Sequence, residues 1–385
     1  MPKITVLKKT NLQEDSCHSM LISLFRGLAA LVVAWAHLRA ASFPAFGDVA
    51  NPSLLFQAMA FSSGFAYLAV MVFFVLSGWL VGGSYLNRMD TDRALQNYAV
   101  DRVSRLWVVL VPTFLVALLV GALTGTIDPG RVSFSASDPY SLTTFIGNMF
   151  GLQNILVESF GENFPLWSLA NETWYYVAFP LLVVVFRSRS LASRAAALLA
   201  LAAIVQLVTP AIVLYFAIWL LGAGFSRVKI EAGPVLRWAL VLITVVTAVL
   251  IRLKGKNEIS VETFPQFLGF SLLFALFLSS MQFKRPQSTM LDRVDRTGRF
   301  FADFSFTMYV LHVPLIFVMV HLTSSLFGID RLSPEIVSHY LIYLGMFVVL
   351  VFAGYFFHLP FEANTGRVRQ WLKGQLFARV GTVRT

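Results

Sequence analysis

An all-α, polytopic bundle of about ten membrane-spanning helices with both termini in the cytoplasm is the fold this sequence predicts, and three observations carry it. Of 385 residues, 57% are hydrophobic and 13% charged, where a soluble domain carries about a quarter charged residues. The apolar residues fall in long runs, and a spanning helix needs about 20 of them. The Lys and Arg fall between the runs, mostly on one side. The 36 Phe, 8 Trp and 11 Tyr exceed what a soluble core of this size would bury, and they suit lipid and its interfaces.

Residues 1–20 are polar as far as Ser19 and show no cleavage pattern, so the first run, 22–42, reads as an uncleaved signal anchor. Runs at 63–86 and 106–126 follow. The longest outer connection, 127–164, carries Asp128, Asp138, Glu158 and Glu162 with several Gly, Pro and Ser, as expected of an ordered loop. Next come 165–186 and the pair 191–209 and 210–226, where Pro210 interrupts one long apolar stretch that a re-entrant element would also satisfy. The last runs are 235–251, 264–283, 303–326 and 338–359. The chain thus divides into a cytoplasmic N-terminal tail (1–20), a transmembrane domain (21–359) and a basic cytoplasmic C-terminal tail (360–385).

The net charge of +10 follows from topology. With the N-terminus inside, 24 of the 30 Lys and Arg lie on the inner side, and only Arg39, Arg131, Arg252, Lys254, Lys256 and Arg331 lie outside. Orientation and attraction to anionic lipid account for the basic loops, so no nucleic-acid partner is expected. The single cysteine, Cys17, provides neither a disulfide nor a Cys-ligated metal, and no metal is expected. No G-x-S-x-G elbow, Gly-rich phosphate loop with Lys, H-E-x-x-H or H-x-x-x-x-D pattern occurs, which removes support for soluble hydrolase or nucleotide-triphosphate chemistry.

Ionisable residues inside a spanning run cost about 2.5 kcal/mol or more each, so each is a candidate for function. Arg26 and His37 lie eleven positions apart on the first run, which puts them on one face and about 16 Å apart along the axis. Arg102 and Arg105 stand one turn apart near the inner surface, positioned for one phosphate-bearing ligand. Glu172 lies about two turns inside the fourth run, at a depth similar to that of His37. Such a carboxylate would fix the imidazole tautomer and raise its basicity, as a general base requires. Tyr309 and His312 share a face near mid-membrane. Glu362 and Arg367 read as a helix stop with a local ion pair, and His18, His321 and His339 as surface or interface residues.

The stretch R-G-L-A-A-L-V-V-A-W-A-H at 26–37 resembles the R-x10-H signature of membrane acyltransferase family 3, bacterial proteins that O-acylate surface and exported glycans. The resemblance continues in F-F-V-L-S-G-W-L (73–80), R-V-S-R (102–105), L-W-S-L-A-N-E-T-W-Y-Y (166–176) and F-T-M-Y-V-L-H (306–312), in order and in register. It implies an enzyme of the bacterial inner membrane that passes an acyl group, usually acetyl, from cytoplasmic acyl-CoA to a sugar hydroxyl of a glycan or lipid-linked sugar. Membrane lipid and polysaccharide-assembly proteins would be its other partners. By the family pattern His37 is catalytic and Arg26, Arg102 and Arg105 serve the donor, with Ser77 counted beside them. Glu172 would orient His37, and Tyr309 or His312 would hydrogen-bond the developing oxyanion. The competing expectation is a proton-coupled exporter of a glycan or lipid, which ten helices with a midplane His and Glu also describe.

Overall fold

The computed structural model describes residues 2–11, 13–127 and 132–378, and Asp128, Arg131, Arg379 and Arg384 lie outside the described residues. Strand β1 (Lys3–Val6) pairs antiparallel with β2 (Val228–Glu231), Lys3 opposite Glu231 and Val6 opposite Val228. Part of the N-terminal tail is therefore stitched to the loop between two later helices. The rest of the described chain is mostly α-helical.

Helix α1 (Cys17–Ser42) leads to the short α2 (Leu54–Ser62) and then α3 (Ala66–Ser77), which passes through a π-turn at Gly78–Gly82 into α4 (Gly83–Arg88). Helix α5 (Ala94–Leu123) follows, and α6 (Leu142–Met149) lies within the long connection after it. Then come α7 (Trp167–Arg187), α8 (Leu191–Leu207), α9 (Pro210–Phe225), α10 (Pro234–Lys254) and α11 (Phe264–Ser280). The chain closes with α12 (Thr289–Asp303), α13 (Ser305–Phe327), α14 (Val337–His358) and α15 (Thr365–Ala378). All ten predicted runs lie on helices. Seven helical stretches among the described residues are long and apolar enough to cross a membrane, whereas α8, α9 and α11 are shorter. Pro210 opens α9 in its first turn, where a missing N–H costs nothing.

Small residues set two close helix crossings. A Cβ on Gly78 would lie 1.9 Å from the Trp219 carbonyl oxygen, and one on Gly222 would lie 2.0 Å from that of Val75, so α3 and α9 touch backbone to backbone. The π-turn begins at the same point, where the extra residue re-aims the side chains beside it. At Gly27 a Cβ would meet that of Phe301 at 2.6 Å, and Gly298 faces the Leu24 backbone, which seats α12 against α1.

Several charged residues outside the bundle's interior are held by specific partners. Asp295 on α12 binds Arg285 at 2.6 Å and Arg299 at 3.0 Å. Arg252, read from the sequence as part of an outer basic cluster, donates to the Ala60 and Phe61 carbonyls at the end of α2 and lies over the bare Cα of Gly64. It fastens α10 to α2. Lys256 pairs with Glu262 at 2.7 Å. His18 is a correction: it is fully buried and bonded to the Asn11 carbonyl, because β1 pairing folds the preceding chain back over it.

Candidate active site

The first two turns of α13 run alongside α1, and at one level the two helices place His37 and His312 in contact. The His37 Nδ1 lies 2.8 Å from the His312 Nε2. The rings are within 9° of parallel with centroids 5.0 Å apart, the separation that an edge-to-edge bond in the ring plane requires. The His312 Nδ1 faces the carbonyl oxygens of Tyr309 at 2.7 Å and Met308 at 3.2 Å. Carbonyls only accept, so in the neutral ring Nδ1 carries the proton and Nε2 is the acceptor. His37 must then donate from Nδ1, which leaves its Nε2 with a free lone pair. His312 is fully buried, while His37 is half-buried with the ring of Phe164 edge-on at 5.0 Å.

Below this pair lies a cavity of about 620 Å³, bounded by α1, α3, α4, α5, α7, α12, α13 and, at Lys373, α15. Its mouth is among Arg88, Thr91, Asn97 and Lys373, and its inner end is at Phe73, Ser168 and Tyr309. The Tyr309 hydroxyl donates to the Pro165 carbonyl at 2.8 Å and touches the Ser168 hydroxyl at 2.5 Å. The Tyr309 ring lies 5.9 Å from that of His312, so one helical turn of packed side chains separates the cavity from the histidines.

All eight candidate residues occupy this region, but their groupings differ from the expected ones. Arg26, Ser77, Arg102, Arg105, Glu172 and Tyr309 line the cavity, whereas His37 and His312 stand beyond it. Glu172 accepts from the Tyr176 hydroxyl at 2.6 Å, and the bonded partner of His37 is His312. The expected similarity of depth fails for a physical reason. The segment before α7 dips into the bundle, where buried Asn163 donates to the Val310 carbonyl at 2.8 Å, so α7 begins well below the outer end of α1. Both ring nitrogens of His312 are engaged, which sets it behind His37 with no N–H left for an oxyanion.

Glu172 ends a directed chain. The Trp219 indole N–H donates to Ser77 at 3.1 Å, Ser77 lies 3.3 Å from the Tyr176 oxygen, and Tyr176 donates to Glu172. An indole only donates and a carboxylate only accepts, which fixes every proton between them. The two arginines one turn apart also diverge. Arg105 is 2.7 Å from the buried carboxylate of Glu362, which accepts from the Thr307 N–H and hydroxyl as well. Arg102 lies over the rings of Tyr176 at 5.5 Å and Tyr98 at 6.0 Å. Arg26 reaches toward Ala302 and Ser305 at 3.5 and 3.4 Å, within the field of Glu362, Asp303 and Glu172.

Sequence reasoning missed Asp101 and Lys373 and gave Glu362 the wrong arginine. Glu362 is an ion-pair partner of Arg105 on a distant helix, while Arg367 bonds Asn364. Asp101 is buried beside Arg102 and binds Lys373 of α15 at 2.7 Å. The signal for Asp101 was present, as an acid adjacent to the R-V-S-R stretch. The family model described as "Acyltransferase domain", of acyltransferase family 3, matches residues 22–359. No curated protein and no solved structure matches the chain.

Proposed function

This chain belongs to acyltransferase family 3 and is a multi-pass membrane acyltransferase, and from that premise we propose that it moves an acetyl group from acetyl-CoA to a sugar hydroxyl of an exported or lipid-linked glycan. The observation that supports this most is the proton arrangement at His37. Two backbone carbonyls fix His312, His312 fixes His37, and the His37 Nε2 is left as a base directed away from the buried side. His37 is the catalytic residue in this reading and His312 its positioning residue.

The reaction follows from that arrangement. The His37 Nε2 takes the proton of the acceptor hydroxyl as its oxygen attacks the thioester carbonyl. The tetrahedral intermediate collapses with loss of the coenzyme thiolate, which takes the proton back from the imidazolium. While His37 is charged, its Nδ1–H bond to His312 strengthens, and the Met308 and Tyr309 carbonyls polarise His312 in turn. The dipoles of the two carbonyls thus do what a carboxylate does in other histidine sites, without a buried net charge.

The cavity suits the donor. It is narrow and deep, apolar at Phe73, Phe74 and Leu76 and lined by Arg102 and Arg26 at intermediate depth. A pantetheine arm fits the apolar part, and Arg102, which faces two aromatic rings and no carboxylate among the described residues, suits the coenzyme pyrophosphate. In this reading the mouth faces the cytoplasm, as the basic residues suggest, and the thioester reaches His37 when Tyr309 and Ser168 part. The acceptor approaches past Phe164 from the other face. The exporter alternative is not carried forward, since no observation favours it over transfer.

Transfer of radiolabelled acetyl from acetyl-CoA into envelope glycan, in membranes containing the wild type or His37→Ala, tests the reading. Label that requires His37 is the expected result. Equal labelling by the variant, at equal protein level, would overturn the assignment.

A further inference from the structure

The mouth of the cavity holds an arrangement that the reading above leaves unused. Asp101 lies at the start of α5 with a nearly buried carboxylate, and three cations converge on it. The Lys373 Nζ is 2.7 Å from Oδ1, the Arg369 Nε 3.8 Å from the same oxygen, and the Arg88 Nη1 3.9 Å from Oδ2. Lys373 and Arg369 are successive turns of α15, which packs across α5, and Arg88 is the end of α4. Three segments distant in sequence therefore supply one cluster.

Its charge does not balance. A single carboxylate among three cations leaves a net charge of +2, with Arg88 and Lys373 lining the mouth of the cavity and Arg369 beside it. Two of the contacts are near 4 Å, so the carboxylate gathers the guanidinium groups without saturating them. A phosphate monoester carries a charge of about −1.5 to −2 and accepts several charge-assisted hydrogen bonds, which matches this excess. A phosphodiester, at −1, matches it less well. Arg102 stands one position after Asp101 but faces the aromatic rings farther in, so the cavity offers two anion positions at different depths.

We propose that Arg88, Arg369 and Lys373, gathered by Asp101, form a subsite for the terminal phosphate monoester of the donor, the ribose 3′-phosphate of coenzyme A. This rests on the donor assignment above and adds its outermost contact. It makes α15 part of the donor site: Lys373 exchanges its bond to Asp101 for one to phosphate, and Asp101 keeps the two arginines in place.

Equilibrium binding of coenzyme A and of 3′-dephospho-coenzyme A to purified protein in nanodiscs tests the subsite without requiring turnover. The wild type should prefer coenzyme A by about ten- to a hundredfold, as charge-assisted bonds imply. The Lys373→Ala/Arg369→Ala double variant should bring the two affinities within about threefold of each other, and Lys373→Arg should keep the preference. Thermal unfolding of each variant verifies that it is folded. Equal affinities in the wild type, or a preference that survives in the double variant, would overturn the subsite and leave the donor assignment standing. If the wild type binds neither coenzyme, the donor assignment fails and the subsite fails with it.

Discussion

The two ends of the Arg26 to His37 face are built on opposite electrostatic plans. Around Arg26 the cavity wall carries formal charges of both signs, with Arg105 held by Glu362 and Lys373 by Asp101. Around His37 the partners are another neutral imidazole, two carbonyls and a phenyl ring. Charge is kept along the cavity wall, and at the other end of the face the control over a proton is exercised by dipoles. An ionised carboxylate behind His37 would have to be desolvated, whereas a backbone carbonyl facing His312 is already in place.

Breaking the neutral end should have the largest effect. His37→Ala should lower acetyl transfer by about 10³-fold or more, measured as label incorporated per mole of protein in membranes. Next is the charged end. Glu362→Leu strands Arg105 in the bundle, and the loss of a buried partner costs about 3–5 kcal/mol, read as a lower detergent-solubilised melting temperature. Glu362→Leu combined with Arg105→Met should recover most of that loss, since no buried charge is then left alone.

A smaller effect sharpens the contrast between the two ends. His312→Ala should lower kcat by about tenfold to a hundredfold while leaving the KM for acetyl-CoA near its original value. His312→Gln, whose side-chain oxygen accepts from the His37 Nδ1, should restore part of it, an outcome that a purely structural role for His312 would not give. The smallest effect is expected of Arg102→Ala, which should raise the KM for acetyl-CoA about tenfold with little change in melting temperature. It has no carboxylate to strand among the described residues.

The helices were legible because each apolar run is long enough to decide its own structure. The pairing of R-x10-H on one helix face was legible for the same reason, since helical periodicity is local. The partner of His37 was not, because depth was counted from the ends of apolar runs, and the dip of the chain at Asn163 shifts α7 away from the level of His37. Glu362 was misread as paired locally with Arg367, when its partners Arg105 and Thr307 are 257 and 55 residues away in sequence. A basic C-terminal stretch read as a tail contains α15, because its apolar face is too short to register as a run yet packs on α5. That Gly78 meets the Trp219 backbone and Gly222 that of Val75 was not legible either, because the contact joins two distant helices.

The turn of side chains at Phe73, Ser168 and Tyr309 has a consequence for the cell as well as for the reaction. A membrane protein with a deep cavity open at one end, and a half-buried histidine beyond the cavity's inner end, is almost a pore. In an energised membrane any continuous file of water would discharge the proton gradient. The Tyr309 hydroxyl, which donates to the Pro165 carbonyl and lies against Ser168, interrupts that file with hydroxyls bonded within the protein. The same contact that closes the inner end of the cavity would also keep the bilayer electrically tight.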